Sequence, residues 1–288
     1  MNLSAQALQA WRSFLEPHDN RGHLRRELAG ATIDEHVAAC YASSVSTAER
    51  MRVILEGRAP RRILEVGAST GLNCLALQRL FPEAEVIGIE PESEAIAAAV
   101  ATAECWGSSR ARFLQGFGES LPFEANSIDF ILCHTVIEHV ADTCKVIAEM
   151  ARTLAPAGVI SLEAPNYIWP KEPHLNIWCL PLLGKRFIKI CARMQGRTPH
   201  EARFVDHLQL VHPGMLEHSF ASAGLRWRDG VRDKIAAVAG GDLKQVRAYR
   251  STAPVLRLLR RIGMLNGIAN LIIRLGLHPS VMYTLTKA

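Results

Sequence analysis

Residues 63–73 read ILEVGASTGLN: an apolar run, an acid at Glu65, then Gly67 and Gly71 on either side of three small residues. After a second apolar run, VIGIEPE (86–92) places another acid, Glu90, at the end of a predicted strand. Strand, glycine turn, helix, strand, acid is the order found at nucleotide sites of βαβ folds. The glycines are spaced G-x-x-x-G, not the G-x-G-x-x-G that brings a pyrophosphate to a helix N-terminus. Glu65, moreover, stands where such an anion would be repelled. The turn suits an adenosine ligand that carries a cation, and it argues against a dehydrogenase.

Outward from this turn the pattern keeps alternating. Strands are predicted at 62–66, 85–89, 111–115 and 128–134, and at 159–165 after the breaker Pro156-Ala-Gly158. Helices are predicted at 71–80, 92–106 and 139–154, and upstream at 3–15 and 33–57, where Thr32 with Asp34 and Glu35 reads as a capped start. The polar stretch His18 to Arg26 separates those first two. IDFILCH is a continuous apolar run of the kind buried on both faces of a parallel sheet. Helix 213–223, strand 225–228 and a last strand in VMYTLTKA complete an α/β class fold: a doubly wound, mostly parallel, seven-stranded Rossmann-like sheet with helical cap insertions. The expected organisation is an N-terminal helical segment (1–57), a ligand-binding core (58–230) with a cap insert (166–206), a helical basic insert (231–277) and a final core strand (278–288).

Bulk properties fit that plan. With 288 residues, 49% of them hydrophobic, the chain can bury one large core. The seven cysteines are scattered without a C-x-x-C, as in a reduced, cytoplasmic protein rather than a disulfide frame or zinc site. The opening MNLSAQALQAWRSFLEP has neither the basic nor the apolar region of a signal peptide. Residues 1–160 carry 14 Lys/Arg against 20 Asp/Glu, a balance of −6, and residues 161–288 carry 19 against 8, a balance of +11. The two halves therefore face different surroundings.

With these segments placed, the chain resembles the class I S-adenosylmethionine-dependent methyltransferases, especially the branch with the ubiquinone-biosynthesis O-methyltransferases. EVGASTG is similar to their first motif, E/D-x-G-x-G-x-G, with Ser69 for the central glycine. GIEPE, GESLPFEANSIDFILCHTVIEHV, LAPAGVISLEAPN and DHLQLVHPGMLEHSFASAGL follow in the family's order, over roughly residues 50–230. The resemblance implies S-adenosyl-L-methionine as cofactor. Gly67 and Gly71 would let the turn approach its methionine part, and Ser69 is tolerable there as long as its backbone is not left-handed. Glu65 would attract the ammonium group, and Glu90, followed by Pro91, would accept the ribose hydroxyls. Gly118 and Glu119 would approach the adenine, with His134 near the sulfonium. Phe117 stands where the family often has an Asp for the adenine amine, so stacking or backbone contacts are expected instead.

Methyl transfer is an in-line displacement on carbon, and a hydroxyl acceptor needs a base. Histidine suits that role near neutral pH. The candidates are His207 and His212 in DHLQLVH, His139 in IEHV (also readable as a helix-start packing residue), His174 in KEPHLN, and His134. No metal set is expected, because Asp129, Asp142 and Asp206 have no spacing that brings them together.

The insert WPKEPHLNIWCLPLLGKRFIKICARMQGR alternates leucines and isoleucines with Lys185, Arg186, Lys189 and Arg193. APVLRLLRRIGMLNGIANLIIRLGL repeats the mixture with Arg257, Arg260, Arg261 and Arg274. Such helices fit an anionic membrane surface and a small-molecule or lipid-linked acceptor, on a cytoplasmic protein peripheral to the inner face. The plainer expectation is that they cap the cleft and bury their leucines inward. An RNA methyltransferase, or a scaffold that keeps the fold without catalysis, are the competing readings. Nucleic acid is disfavoured because the basic residues alternate with leucine rather than with exposed aromatics.

Overall fold

The computed structural model describes residues 2–16, 31–242 and 249–288. The polar stretch His18–Arg26 lies outside them. Two helices, α1 (Ala5–Leu15) and α2 (Ile33–Ile54), precede the first strand. Thr32 and Glu35 form the expected capping box at the start of α2. The alternating core runs β1 (Arg62–Val66), α3 (Leu72–Leu80), β2 (Glu85–Glu90), α4 (Ser93–Cys105), β3 (Ala111–Gln115), β4 (Ile128–His134), α5 (Thr143–Thr153) and β5 (Leu154–Pro165). The cap follows, with β6 (Lys171–Glu172), β7 (Ile177–Trp178), α6 (Lys185–Met194) and α7 (Pro199–Ala202). After it come α8 (Pro213–Ser222), β8 (Leu225–Asp229), α9 (Gly230–Gly240), α10 (Tyr249–Arg261), α11 (Leu265–Leu275) and β9 (Ser280–Lys287).

The main sheet has the order β3-β2-β1-β4-β5-β9-β8. The first five strands are parallel, and β9 runs antiparallel to both β5 and β8. The seven-stranded, mostly parallel sheet expected from the alternation is therefore present. Side chains alternate across it. Phe130 and Leu132 of β4 join Trp11, Met51 and Leu77 on the face covered by α1 to α4. Ile131 and Cys133 join Val146, Met150 and Phe220 beneath α5 and α8. Trp11 is wholly buried and its indole N–H donates to Thr102 Oγ1 at 2.9 Å, tying α1 to α4. The cap has a small core of its own around Leu175, Ile177, Ile188 and Val205.

Two boundaries differ from expectation. Helix α5 begins at Thr143, not at residue 139. Asp142 caps it by accepting the Lys145 N–H at 3.0 Å, and Glu119 accepts the Ala141 N–H at 2.8 Å. Residues 135–141 are thereby held out of the helix as a turn. Strand β5 begins at Leu154, absorbing the Pro156–Gly158 breaker through a register irregularity beside β4.

The order in which strands are added reverses between β1 and β4. The connection after β1 leads to β2 on one side, while β4 lies on the other. In open parallel sheets ligands occupy the crevice at the carboxyl ends of the strands that flank such a point.

Candidate active site at the β1–β4 crevice

The turn after β1 is left-handed at every second residue: Gly67 (φ 72°), Ser69 (φ 46°) and Gly71 (φ 72°). Ser69 thus fails the condition set for an untroubled substitution and takes the left-handed region, at a cost of roughly 1–2 kcal/mol for an L-residue. Its N–H gains a partner, donating to Glu90 Oε2 at 2.9 Å. The glycines are also required by the protein's own packing. A Cβ on Gly67 would overlap Val136, and one on Gly71 would overlap the Phe113 ring, so both close against protein side chains.

Glu65 is buried beneath the turn. Its oxygens accept from Asn73 Nδ2 at 2.8 Å and Cys74 Sγ at 3.0 Å, which pins the start of α3. Burial pushes its carboxyl up to about 7. Glu90 sits half-exposed at the end of β2, its second oxygen accepting the Glu92 N–H at 3.1 Å. Pro91 is exposed beside it, its carbonyl accepting from Gln115 Nε2 at 3.0 Å. Gly118 is buried against Val66 and Val146, whereas the Glu119 carboxylate turns away to the amides of Ala141 and Asp142. Phe117 stands 64% exposed at the mouth of the crevice. The imidazole of His134 turns into the sheet, with Nε2 2.9 Å from Ser161 Oγ and Nδ1 3.9 Å from Glu163, which pairs with Arg50. Burial holds this imidazole down at about 4, and hence neutral.

On the β4 side, Thr135 takes a left-handed φ of 54°, rare for a β-branched residue, and starts the turn that carries Glu138 and His139. The cap returns His174 to this turn. The two imidazoles meet edge to face at 4.9 Å, and Phe204 packs on both. Nδ1 of His174 donates to the buried Glu172 carboxylate at 2.7 Å, leaving Nε2 with its lone pair. Glu138 is wholly buried and, among the described residues, neither of its oxygens has a hydrogen-bond partner beyond its own backbone amide; its Oε1 lies 3.7 Å from His139 Nε2. Burial raises its carboxyl to about 7. His207 stands exposed at the end of the turn Arg203–His207, and His212 caps α8 through Met215 N–H.

Two of the five candidate bases, His139 and His174, are therefore brought together, while His134 turns into the sheet, His207 is exposed and His212 caps α8. Glu138, Glu172 and Tyr167, whose hydroxyl lies 3.4 Å from His174 Nδ1, went unrecognised in the sequence. An acid directly beside His139, and another two residues before His174, were the available signals. No metal-ligand set is expected from the sequence, and the three acids weighed there do not form one. Asp129, Asp142 and Asp206 are structural, holding the Arg61 and Arg62 amides, the α5 cap and Lys189 respectively. Glu138, His139 and His174, however, place ligand-capable atoms within 4.8 Å of one another.

Residues 64–162 match the model of a methyltransferase domain family. An uncharacterized methyltransferase, YcgJ of Bacillus subtilis, is 35% identical over 121 residues, 42% of this chain and 46% of that protein. A demethylmenaquinone methyltransferase of Thermus thermophilus is 35% identical over 109 residues, 38% of this chain and 49% of that one. The chain thus spans about half the length of these curated relatives. The crystal structure of YcgJ superposes with a TM-score of 0.52 at 21% identity, covering 85% of this chain and 98% of that chain, a likeness of fold. Residues 64–162 therefore carry a methyltransferase domain, and the likeness to YcgJ extends its fold over most of the chain.

The cofactor of these methyltransferases is S-adenosylmethionine, and the crevice fits it. A carboxylate at the end of β2 suits a ribose diol, and an exposed aromatic ring at Phe117 suits an adenine face. The turn that closes the crevice carries no cationic side chain for a phosphate. When bound, the cofactor supplies the electrophilic methyl group. Within the protein, Glu65 braces the start of α3 and Glu119 the β4–α5 turn. Among the described residues, no helix of this methyltransferase is long and apolar enough to cross a membrane.

Proposed function

We propose that this methyltransferase moves a methyl group from S-adenosylmethionine to a hydroxyl of an amphiphilic or lipid-linked acceptor presented at an anionic membrane surface. The observation that carries the reading is a shared wall. Val136, against which Gly67 closes, stands two residues before Glu138 and three before His139. The cofactor turn and the histidine pair are therefore neighbours on one crevice. His174, oriented by Glu172, is the base. Its Nε2 takes the hydroxyl proton as the acceptor oxygen attacks the methyl carbon and the sulfonium leaves as a neutral thioether.

The acceptor class follows from the outside of the cap. Trp178, Leu180, Leu182 and Leu183 are each more than half exposed, as are Val255 and Leu258 on α10, Ile262 in the turn after it and Leu271 on α11. These side chains are not turned inward to fill the cap, as the plainer expectation had it. They lie among Lys185, Lys189, Arg257 and Arg274, a mixture that favours an anionic leaflet over RNA. The Thermus relative is named for demethylmenaquinone, and an acceptor of that apolar kind suits such a cap.

Incubating the chain with methyl-labelled S-adenosylmethionine and total lipid extract tests this. Label should enter the organic phase, more so on anionic than on neutral vesicles. Label confined to water-soluble products would overturn the lipid acceptor. Cofactor binding by calorimetry without transfer to either fraction would restore the scaffold reading.

A further inference from the structure

Glu138 presents an unusual arrangement: a carboxylate sealed from solvent whose oxygens, among the described residues, lack a hydrogen-bond partner beyond its own backbone amide. Buried polar groups are satisfied in the great majority of cases, and an orphan of this kind calls for a partner of its own. The groups around it are suited to one. His139 Nε2 is 3.7 Å from Glu138 Oε1, and His174 completes a set whose ligand-capable atoms all lie within 4.8 Å of each other. Two tetrahedral bonds of about 2.0–2.1 Å put their donor atoms roughly 3.3 Å apart, so small side-chain rotations close this set on an ion. The outer shell is also in place. Glu172 accepts from His174 Nδ1 at 2.7 Å, the carboxylate–histidine arrangement that fixes a ligating imidazole and leaves Nε2 for an ion.

We propose that Glu138, His139 and His174 bind a divalent transition-metal ion of the Zn²⁺ class beneath the cap. Two imidazoles and one carboxylate favour such an ion over Mg²⁺, which prefers oxygen donors. Three protein ligands leave a coordination position open, the arrangement of catalytic rather than structural sites. The binding of the ion stands on these side chains alone. Its use rests on the methyl-transfer reading above and would replace the base there: with His174 Nε2 held as a ligand, the ion would acidify the acceptor hydroxyl and the proton would pass to solvent.

The test uses the full chain, stripped with a chelator and dialysed, titrated with Zn²⁺ by calorimetry and with Co²⁺ by visible absorption. One ion per chain is expected, with the Co²⁺ bands of low coordination number and no competition from Mg²⁺. Glu138→Gln and His174→Asn should each weaken Zn²⁺ binding at least tenfold, and Glu172→Gln by about 10–100-fold through the outer shell. His218→Asn, on the exposed face of α8, should leave it unchanged. Absence of stoichiometric Zn²⁺ or Co²⁺ binding by the unaltered chain overturns the site, whatever the variants do. Equal Zn²⁺ binding by a folded Glu138→Gln/His174→Asn double variant does so too. S-adenosylmethionine titrations on the same preparations separate the two readings. Cofactor binding without an ion overturns only the metal site, and an ion without cofactor binding overturns only the methyl-transfer reading.

Discussion

The turn after β1 and the cluster after β4 share one crevice but are made of different materials. The turn is backbone: three left-handed residues at alternate positions, closed against Val136 and Phe113 and bonded to the end of β2. The cluster is side chain: Glu138 and His139 from one turn, and Glu172 and His174 from an insert more than thirty residues downstream. A backbone site tolerates little change in shape and can serve one ligand across many relatives. A side-chain site depends on how the cap lies and can be rebuilt for each acceptor. Division of labour follows, with cofactor binding at the first and acceptor chemistry at the second.

Substitutions that separate these two roles test the comparison most sharply. His174→Asn should lower the rate of methyl transfer by about 10²–10⁴-fold, the usual contribution of a general base, while S-adenosylmethionine affinity stays constant. Single-turnover kinetics beside calorimetry would show this, and a parallel loss of cofactor affinity would merge the two sites. Gly67→Ala should act the other way, on the frame. It combines a left-handed φ with an overlap on Val136, at a combined cost of roughly 2–5 kcal/mol. Gly57 has φ 79° and open space around a built Cβ, so Gly57→Ala carries the backbone cost alone, about 1–2 kcal/mol. Equal urea midpoints for the two variants would mean that Val136 yields and the shared wall is soft.

Legibility in the sequence follows the same division. Backbone sites are encoded locally, so ILEVGASTGLN and the acid at Glu90 were readable as a strand, a turn and a ligand-bearing strand end. The sheet was equally readable, since each strand is a short apolar run between turn residues. What escaped was contact between distant segments. Nothing in KEPHLN says that its histidine folds back onto IEHV. That meeting is set by the β6–β7 hairpin and by Phe204 wedging both rings. His207 looked better placed because it heads a family-like segment, yet it ends an exposed turn. Glu65 and Glu119 were recognised as site residues, but their partners are Asn73, Cys74 and the α5 amides. An acid near a ligand loop is often the brace of the loop.

Titration gives a third contrast. Glu65 is raised from 4.5 to about 7, so the stability it contributes is complete below pH 4.5 and lost as pH rises through 7. His134 is lowered from 6.5 to about 4, so its contribution is complete above pH 6.5 and lost as pH falls through 4. The two slopes oppose each other between these limits. Each shift corresponds to about 3 kcal/mol. From pH 4.5 to 7, Glu65→Gln should therefore gain about that much on the unaltered chain in urea unfolding. His134→Gln should gain a similar amount as pH falls from 6.5 to 4. Glu138, raised in the same direction as Glu65, is common to all three proteins and cancels in these differences. Differences that do not vary with pH would mean that water reaches both groups.

Ser69→Gly is the smallest expected effect and bears on why the turn departs from the family pattern. Ser69 holds φ 46° against its own preference, and its N–H reaches Glu90 Oε2 at 2.9 Å. Glycine keeps that N–H and removes a backbone cost of roughly 1–2 kcal/mol, while gaining about 0.4–1 kcal/mol of unfolded-state freedom that offsets it. A net stabilisation of about 0.5–1 kcal/mol remains, visible as a higher urea midpoint with an unchanged slope. Cofactor affinity should hold, because the contact to Glu90 comes from backbone. A drop in affinity despite higher stability would place the Ser69 hydroxyl on the ligand, and the turn would then owe part of its recognition to a side chain. That outcome would blur the contrast between a backbone site and a side-chain site at the residue where the sequence first broke the glycine pattern.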